Sequence, residues 1–140
     1  MLKARLTVSD EELAIVCASH SGSQNHLNYF SRTWVIDDDN EIIKPHDSEV
    51  GFWRVRDKEV LEVVLSHNTG TNEGWLGLIR GPKIQLAMDK AYESPSVKAI
   101  DSGSRLYGLV DGQLFTSLDV GKDGNDLQAY MWSSLERQAE

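Results

Sequence analysis

Stretches in which apolar and polar residues alternate follow one another through most of this 140-residue chain. In the first of them, residues 3 to 8, Ala4, Leu6 and Val8 alternate with charged or hydroxyl-bearing residues. A period of two residues is typical of a strand that buries one face. The pattern continues in residues 12–19, 27–36, 49–55, 60–67, 71–79, 83–89, 97–110 and 113–120. The sequence therefore predicts about nine strands.

Short turns join these strands. Asp111-Gly112 between two alternating stretches is a strong hairpin signal, and Asn68-Thr69-Gly70 is a second one. The chain has no strand–helix–strand rhythm, so successive strands are expected to pair antiparallel in an up-and-down sheet. Closing such a sheet removes its exposed edges. We predict an all-β barrel like those of lipocalins and fatty-acid-binding proteins, with a mouth that can hold one small ligand.

The segment from Asp126 to Leu135 is predicted to be the exception. Leu127, Met131 and Leu135 recur at the spacing of one helix face. Asn125 or Asp126 supplies an N-cap before them. The sequence therefore predicts one C-terminal helix that closes an end of the barrel.

Composition limits the remaining possibilities. The length fits a single domain over residues 1–140. A net charge of −8 argues against a nucleic-acid partner or an anionic membrane surface, since both require a basic footprint. Cys17 is the single cysteine, which excludes an internal disulfide. Neither a signal peptide nor an apolar stretch of the ~20 residues that a membrane helix needs is present, so we expect a soluble, cytoplasmic protein.

A series of short motifs, in fixed order and spacing between about residues 12 and 135, resembles the nitrobindin family. The motifs are Ser19-His20-Ser21-Gly22, Tyr29, Thr33-Trp34, Glu49-Val50-Gly51-Phe52-Trp53-Arg54, Glu62-Val63-Val64, Thr69-Gly70, Ser104-Arg105, Leu109-Val110-Asp111-Gly112-Gln113-Leu114 and Leu127-Gln128. The resemblance implies a ten-stranded barrel with ferric haem b in a cleft at its mouth. It also implies nitric oxide binding and the isomerisation of peroxynitrite to nitrate.

The resemblance also points to the residues of the haem site. The family's proximal histidine, just after the Leu-Gln pair, corresponds to Tyr130, and its distal histidine corresponds to Asp47, with His46 beside it. His67 falls near the distal pocket, and Val120 stands where the family has methionine. The family's first strand, Gly-x-Trp-x-Gly-x-Gly, has no counterpart here. We therefore expect a barrel with open edges that could pair with a second copy.

Each candidate residue has two interpretations. A tyrosine phenolate can ligate ferric haem, and His67 or His46 could bind iron from the other side. Alternatively, Tyr130 fills the space of a lost ligand with its hydroxyl at the wet edge of the pocket. In that case His67 is a surface polar residue at the end of a turn. His46 and Asp47 then lie in a loop, where His46 points elsewhere and Asp47 accepts hydrogen bonds from backbone N–H groups.

These observations lead to three hypotheses about function. In the first, the barrel does not hold a histidine-ligated haem, is not an enzyme, and binds a small apolar ligand. In the second, it is a haem protein that handles nitric oxide or peroxynitrite, with Tyr130 or His67 on the iron. In the third, open strand edges make it a homodimeric binding module.

Overall fold

The chain forms ten strands in a computed structural model that describes the backbone of residues 2–8, 12–20 and 25–138 and the side chains of residues 25–137. The strands are β1 (Leu2–Val8), β2 (Glu12–His20), β3 (His26–Ile36), β4 (Ile42–Val55), β5 (Val60–His67), β6 (Asn72–Arg80), β7 (Lys83–Tyr92), β8 (Ser102–Val110), β9 (Gln113–Gly121) and β10 (Gln128–Gln138). Within the described ranges no segment is helical, and none could span a membrane as a helix.

The ten strands close into an antiparallel up-and-down barrel. Each strand pairs with its sequence neighbour, and β1 also pairs with β10, from Lys3 opposite Gln138 to Thr7 opposite Ser134. The predicted fold class is therefore confirmed. The expectation of open strand edges was wrong, because the terminal strands satisfy each other's backbone groups.

The predicted C-terminal helix was also wrong, because its residues form β10. Ser133 and Leu135 are buried, whereas Trp132, the residue before Ser133, is 62% exposed. Burial on one face and exposure on the other is the alternation of a strand. Met131 and Leu135, four residues apart, fit a helix face and a strand face equally well. Two neighbours, β9 and β1, offer unpaired backbone groups to this segment, and pairing with both decides the outcome. Buried Ser133 shares a hydrogen bond with Thr116 across the sheet.

Two predicted boundaries differ from the structure for local reasons. Residues 42–48, expected to be mostly loop, form the first half of β4. This half pairs with β3 alone, because the register with β5 begins at Glu49, so the missing N–H of Pro45 is tolerated. Residues 97–101 lie before β8 rather than within it. The predicted Asp111-Gly112 hairpin is confirmed, with φ angles of 51° and 82° at its two central residues.

A compact apolar core fills the barrel beside the site described next. It consists of Trp53, Leu61, Val63, Leu65, Trp75 and Leu86. Trp75 is 1% exposed and packs against Gly103, where an added Cβ would lie 2.5 Å from the indole ring. Since Trp75 also lines the cavity at the barrel mouth, the core supports one wall of that cavity.

Candidate functional site

A cavity of about 290 Å³ opens at the end of the barrel where β5, β7 and β9 finish and β6, β8 and β10 begin. This volume is at the lower limit of the range for small-molecule sites, roughly 300 Å³ upward. Tyr130, His67, Asp47, His46 and Val120, the five residues singled out by the sequence, all line it. The fold thus brings together residues that are up to 84 positions apart in the sequence (130 − 46).

Tyr130 occupies a β-bulge near the start of β10. Ala129 pairs with Asp119 and Met131 pairs with Leu118, so Tyr130 is one extra residue opposite an uninterrupted β9. A bulge disrupts the local ladder and redirects the side chain of the inserted residue. Tyr130 is 58% exposed and therefore lies at the rim of the cavity, not in its interior.

His67 lies deeper, at the end of β5, with a side chain that is only 12% exposed. Its Nδ1 atom is 3.3 Å from Oδ2 of Asp47, which comes from β4. Its Nε2 atom is 3.2 Å from Oε2 of Glu73 and 3.7 Å from Oε2 of Glu49. Three carboxylates therefore surround one imidazole.

The surroundings of His67 keep it protonated. Burial alone lowers the pKa of His67, but the hydrogen bond to Asp47 and the close carboxylates of Glu73 and Glu49 outweigh burial and raise that pKa to about 10. The hydrogen bond from His67 is in turn the main reason why the pKa of Asp47 is lowered. At neutral pH the cavity wall therefore contains an imidazolium.

A second buried ion pair crosses the barrel between β4 and β8. Arg105 donates two hydrogen bonds to Glu49, at 3.0 Å and 2.8 Å, and Tyr29 donates a third at 2.7 Å. Burial raises the pKa of Glu49, but the charge and hydrogen bonds of Arg105 and the hydrogen bond from Tyr29 have the larger effect. The net pKa of Glu49 is therefore lowered, and the carboxylate stays ionised. The guanidinium carbon of Arg105 lies 4.7 Å from the ring centre of Trp75, within cation–π distance.

Glu73 completes this group of charges, which we call the charged floor: Asp47, Glu49, His67, Glu73 and Arg105. Glu73 accepts a 3.0 Å hydrogen bond from the indole of Trp75. Within the described residues, Oδ1 of Asp47, Nε2 of His67 and Nε of Arg105 are buried without a hydrogen-bond partner of good geometry. Three carboxylates face two cations, so the charged floor has a net charge of −1 (−3 + 2) when His67 is protonated.

Apolar side chains also line the cavity. They include Trp75 and Ile100, together with Leu118 and Val120 of β9 and Met131 of β10. At the rim, Lys98 forms an ion pair with Asp123, which ties the loop after β7 to the turn before β10. The cavity is therefore amphipathic, lined both by charged groups and by these hydrocarbon side chains, which we call the apolar wall.

Two interpretations from the sequence need correction at this site. His46 and Asp47 lie in strand β4 and line the cavity, not in a loop that points away from it. Sequence reasoning also found no role for Glu49, Glu73 and Arg105 as buried charges. A signal was available, because Glu49 and Arg105 fall on the faces of their strands that also carry Trp53 and Tyr107, where a charge is costly unless paired.

No group of three or more histidine, cysteine or acidic side chains is placed to hold a metal ion in the part of the chain with described side chains. The carboxylates of the charged floor are instead engaged with His67, Arg105 and Trp75. Any metal at this site would therefore need to displace an existing ion pair.

Residues 10–137 match a family described as the THAP4-like, heme-binding beta-barrel domain. The chain belongs to this family. Within it, the chain is 36% identical over 120 residues to a protein named peroxynitrite isomerase from Nocardioides sp. strain JS614, covering 86% of this chain and 73% of that protein. It is 34% identical over 136 residues to a ferric nitrobindin-like protein from Kineococcus radiotolerans, covering 88% and 75%.

A solved structure of similar architecture supports the same assignment. The crystal structure of Rv2717c from M. tuberculosis superimposes with a TM-score of 0.81 and 27% sequence identity, over 99% of this chain and 91% of that one. The resemblance of this THAP4-like barrel to the nitrobindins, drawn from its motifs, is thereby confirmed.

Proposed function

We propose that this chain is a small-ligand-binding member of the haem-binding barrel family that does not hold a histidine-ligated haem. The observation that carries the proposal is the enclosure of His67 by Asp47, Glu49 and Glu73. The ligand would occupy the amphipathic cavity at the barrel mouth. On this proposal the chain is a binding protein and not an enzyme.

His67 does not fit the role of an iron ligand. A histidine must be neutral to ligate a metal, because the ligating nitrogen needs a free lone pair. The pKa of His67 is about 10, and neutral pH lies about three units below it. His67 would therefore have to be deprotonated against this difference in order to bind iron. Deprotonation costs about 4 kcal/mol before any iron–nitrogen bond forms. It would also leave three carboxylates facing only Arg105.

Tyr130, at the position where the resemblance places the proximal histidine, is a phenol at the exposed rim of the cavity and not an imidazole. A phenol ordinarily titrates near pH 10, about three units above neutrality, so a nearby cation is needed to favour the phenolate. Arg105 is held bidentately by Glu49, and Lys98 is paired with Asp123. Of the cations that line the cavity, these two are thus already engaged with carboxylates.

The alternative is a haem protein that handles nitric oxide or peroxynitrite, with Tyr130 or His67 on the iron. It is supported by family membership and by relatives that carry the name peroxynitrite isomerase. It is also supported by the position of both side chains in one cavity. Haem would then supply the chemistry, while the charged floor would orient and solvate groups bound at the distal side.

A haemin titration followed by visible absorption separates the two proposals. We expect no sharp stoichiometric Soret shift beyond that of a barrel protein known not to bind haem. Equally, mass spectrometry of the chain purified from its own cells is expected to reveal a small organic molecule and no haem. A stoichiometric Soret shift that is lost in Tyr130→Phe or in His67→Phe, but kept in His26→Phe, would establish the alternative.

A further inference from the structure

We propose that the ligand of this cavity has a cationic head group that donates hydrogen bonds, such as a primary ammonium, joined to a short apolar body. The head would lie against Asp47 on the charged floor, and the body against the apolar wall. This inference rests on the proposed function and names the chemical class of the ligand.

The first argument is the charge of the floor. Arg105 neutralises Glu49 through two hydrogen bonds, and protonated His67 neutralises one of Asp47 and Glu73. One negative charge remains among the described floor residues. Charges in a poorly solvated pocket interact more strongly than in water, so this excess favours a cation over an anion. The raised pKa of His67 points the same way, since the same carboxylates stabilise positive charge at its position.

The second argument is access. The side chain of Asp47 is 38% exposed, whereas those of Glu49 and Glu73 are 12% and 8% exposed. Asp47 is therefore the carboxylate of the floor that a ligand reaches first. Its Oδ1 atom is buried and has no hydrogen-bond partner in the described part of the chain. A ligand N–H would satisfy this acceptor, which an apolar ligand would leave unpaired at a cost of about 1–3 kcal/mol.

The cations that line the cavity do not favour an anionic head to the same degree. Arg105 and His67 are already paired with carboxylates. Lys98 and Lys122 lie at the rim, and Lys98 is bound to Asp123. Charges at a solvated rim are screened by salt and contribute little compared with those on the floor.

The third argument is the shape of the apolar wall. Leu118, Val120 and Met131 line the same cavity of about 290 Å³ as the charged floor, and Leu118 lies beside Arg105 in the sheet. A chain of about six carbons fits such a space and gains roughly 0.8 kcal/mol for each buried CH₂ group. The ligand is therefore small, with its charge at one end.

Three probes of equal length test the head group: hexylammonium, hexanol and hexanoate. Each is titrated into the full chain by calorimetry, with tryptophan fluorescence, to which Trp75 in the cavity wall contributes, as a second signal. We expect hexylammonium to bind about tenfold more tightly than hexanoate, which corresponds to one weakly screened charge interaction. Tighter binding of hexanoate, or equal binding of all three probes, would overturn the cationic head while leaving the small-ligand function intact. Binding of none of the three would instead overturn the small-ligand function itself.

Two variants assign the preference to the floor. Asp47→Asn is expected to remove most of the advantage of hexylammonium over hexanoate. Asp89→Asn makes the same charge change at an exposed position of β7 that does not line the cavity, and it should keep the advantage. Thermal unfolding of both variants shows whether each is folded, and Glu73→Gln provides a second floor variant if Asp47→Asn is not. An advantage that survives in the folded floor variants would contradict the assignment.

Discussion

Nε2 of His67 lies 3.2 Å from Oε2 of Glu73, while Nδ1 of the same ring lies 3.3 Å from Oδ2 of Asp47. Both ring nitrogens therefore face carboxylates, and only the imidazolium can offer a proton to each. This arrangement links the stability of the barrel to the protonation of one residue.

The free energy of unfolding should fall as the pH rises from about 6.5 to 10. The pKa of His67 is raised in the folded state, so its stabilising contribution is complete below the unfolded pKa of about 6.5 and is lost as the pH rises through the folded value. The expected slope in this window is about 1.4 kcal/mol per pH unit. Urea unfolding at pH 6, 7.5 and 9 measures it.

His67→Gln should be less stable near pH 6 and should lack that slope. His26→Gln is the matched control, since His26 does not line the cavity, and it should keep the slope of the unchanged protein. Identical pH profiles for the two variants would mean that His67 is not the group responsible.

Breaking the pair between Glu49 and Arg105 should destabilise the barrel strongly. Arg105→Met leaves a buried carboxylate without its bidentate partner, and removing one member of such a pair costs about 3–5 kcal/mol. Arg56→Met breaks an exposed pair with Glu62 and should cost less than about 1 kcal/mol. Chemical denaturation compares the two. Equal losses would show that burial of the Glu49 pair has no energetic consequence.

Replacing Gly103 with alanine should lower stability by about 1–3 kcal/mol, as overpacking in a core does. The new methyl group would lie 2.5 Å from the indole of Trp75, which is held by the core and by its hydrogen bond to Glu73. Gly108→Ala in the same strand is the control, because nothing lies within 4 Å of its added Cβ. Melting temperatures that change alike in both variants would contradict the close packing of β8 against Trp75.

The strand assignment of β10 makes its own prediction. Leu135→Ala should cost about 2–5 kcal/mol because Leu135 is 2% exposed. Trp132→Ala should cost far less despite its larger side chain, since Trp132 is 62% exposed. An equal or larger loss for Trp132→Ala would contradict the burial of Leu135 and the exposure of Trp132 in β10. Equilibrium unfolding of the two variants decides between these outcomes.

The alternation of apolar residues and the turn signals were sufficient to predict the barrel and most strand positions. They were insufficient for β10, because Met131 and Leu135 satisfy both periods and the choice depends on which strands remain unpaired. The motifs predicted residues that meet in one cavity, but not their interactions. Those depend on register, which places Asp47 and Glu49 of β4 and Glu73 of β6 around His67 of β5, and local sequence does not encode that convergence.

The bulge at Tyr130 has a consequence for how such barrels diversify. Because residue 130 is an insertion opposite an unbroken β9, its side chain is not part of the inward and outward alternation that holds β10 in register. A change of residue type there leaves the ladder on both sides intact. Position 130 at the cavity rim is thus separate from the alternation that fixes the register of β10, so a substitution there changes the lining of the cavity without shifting that register.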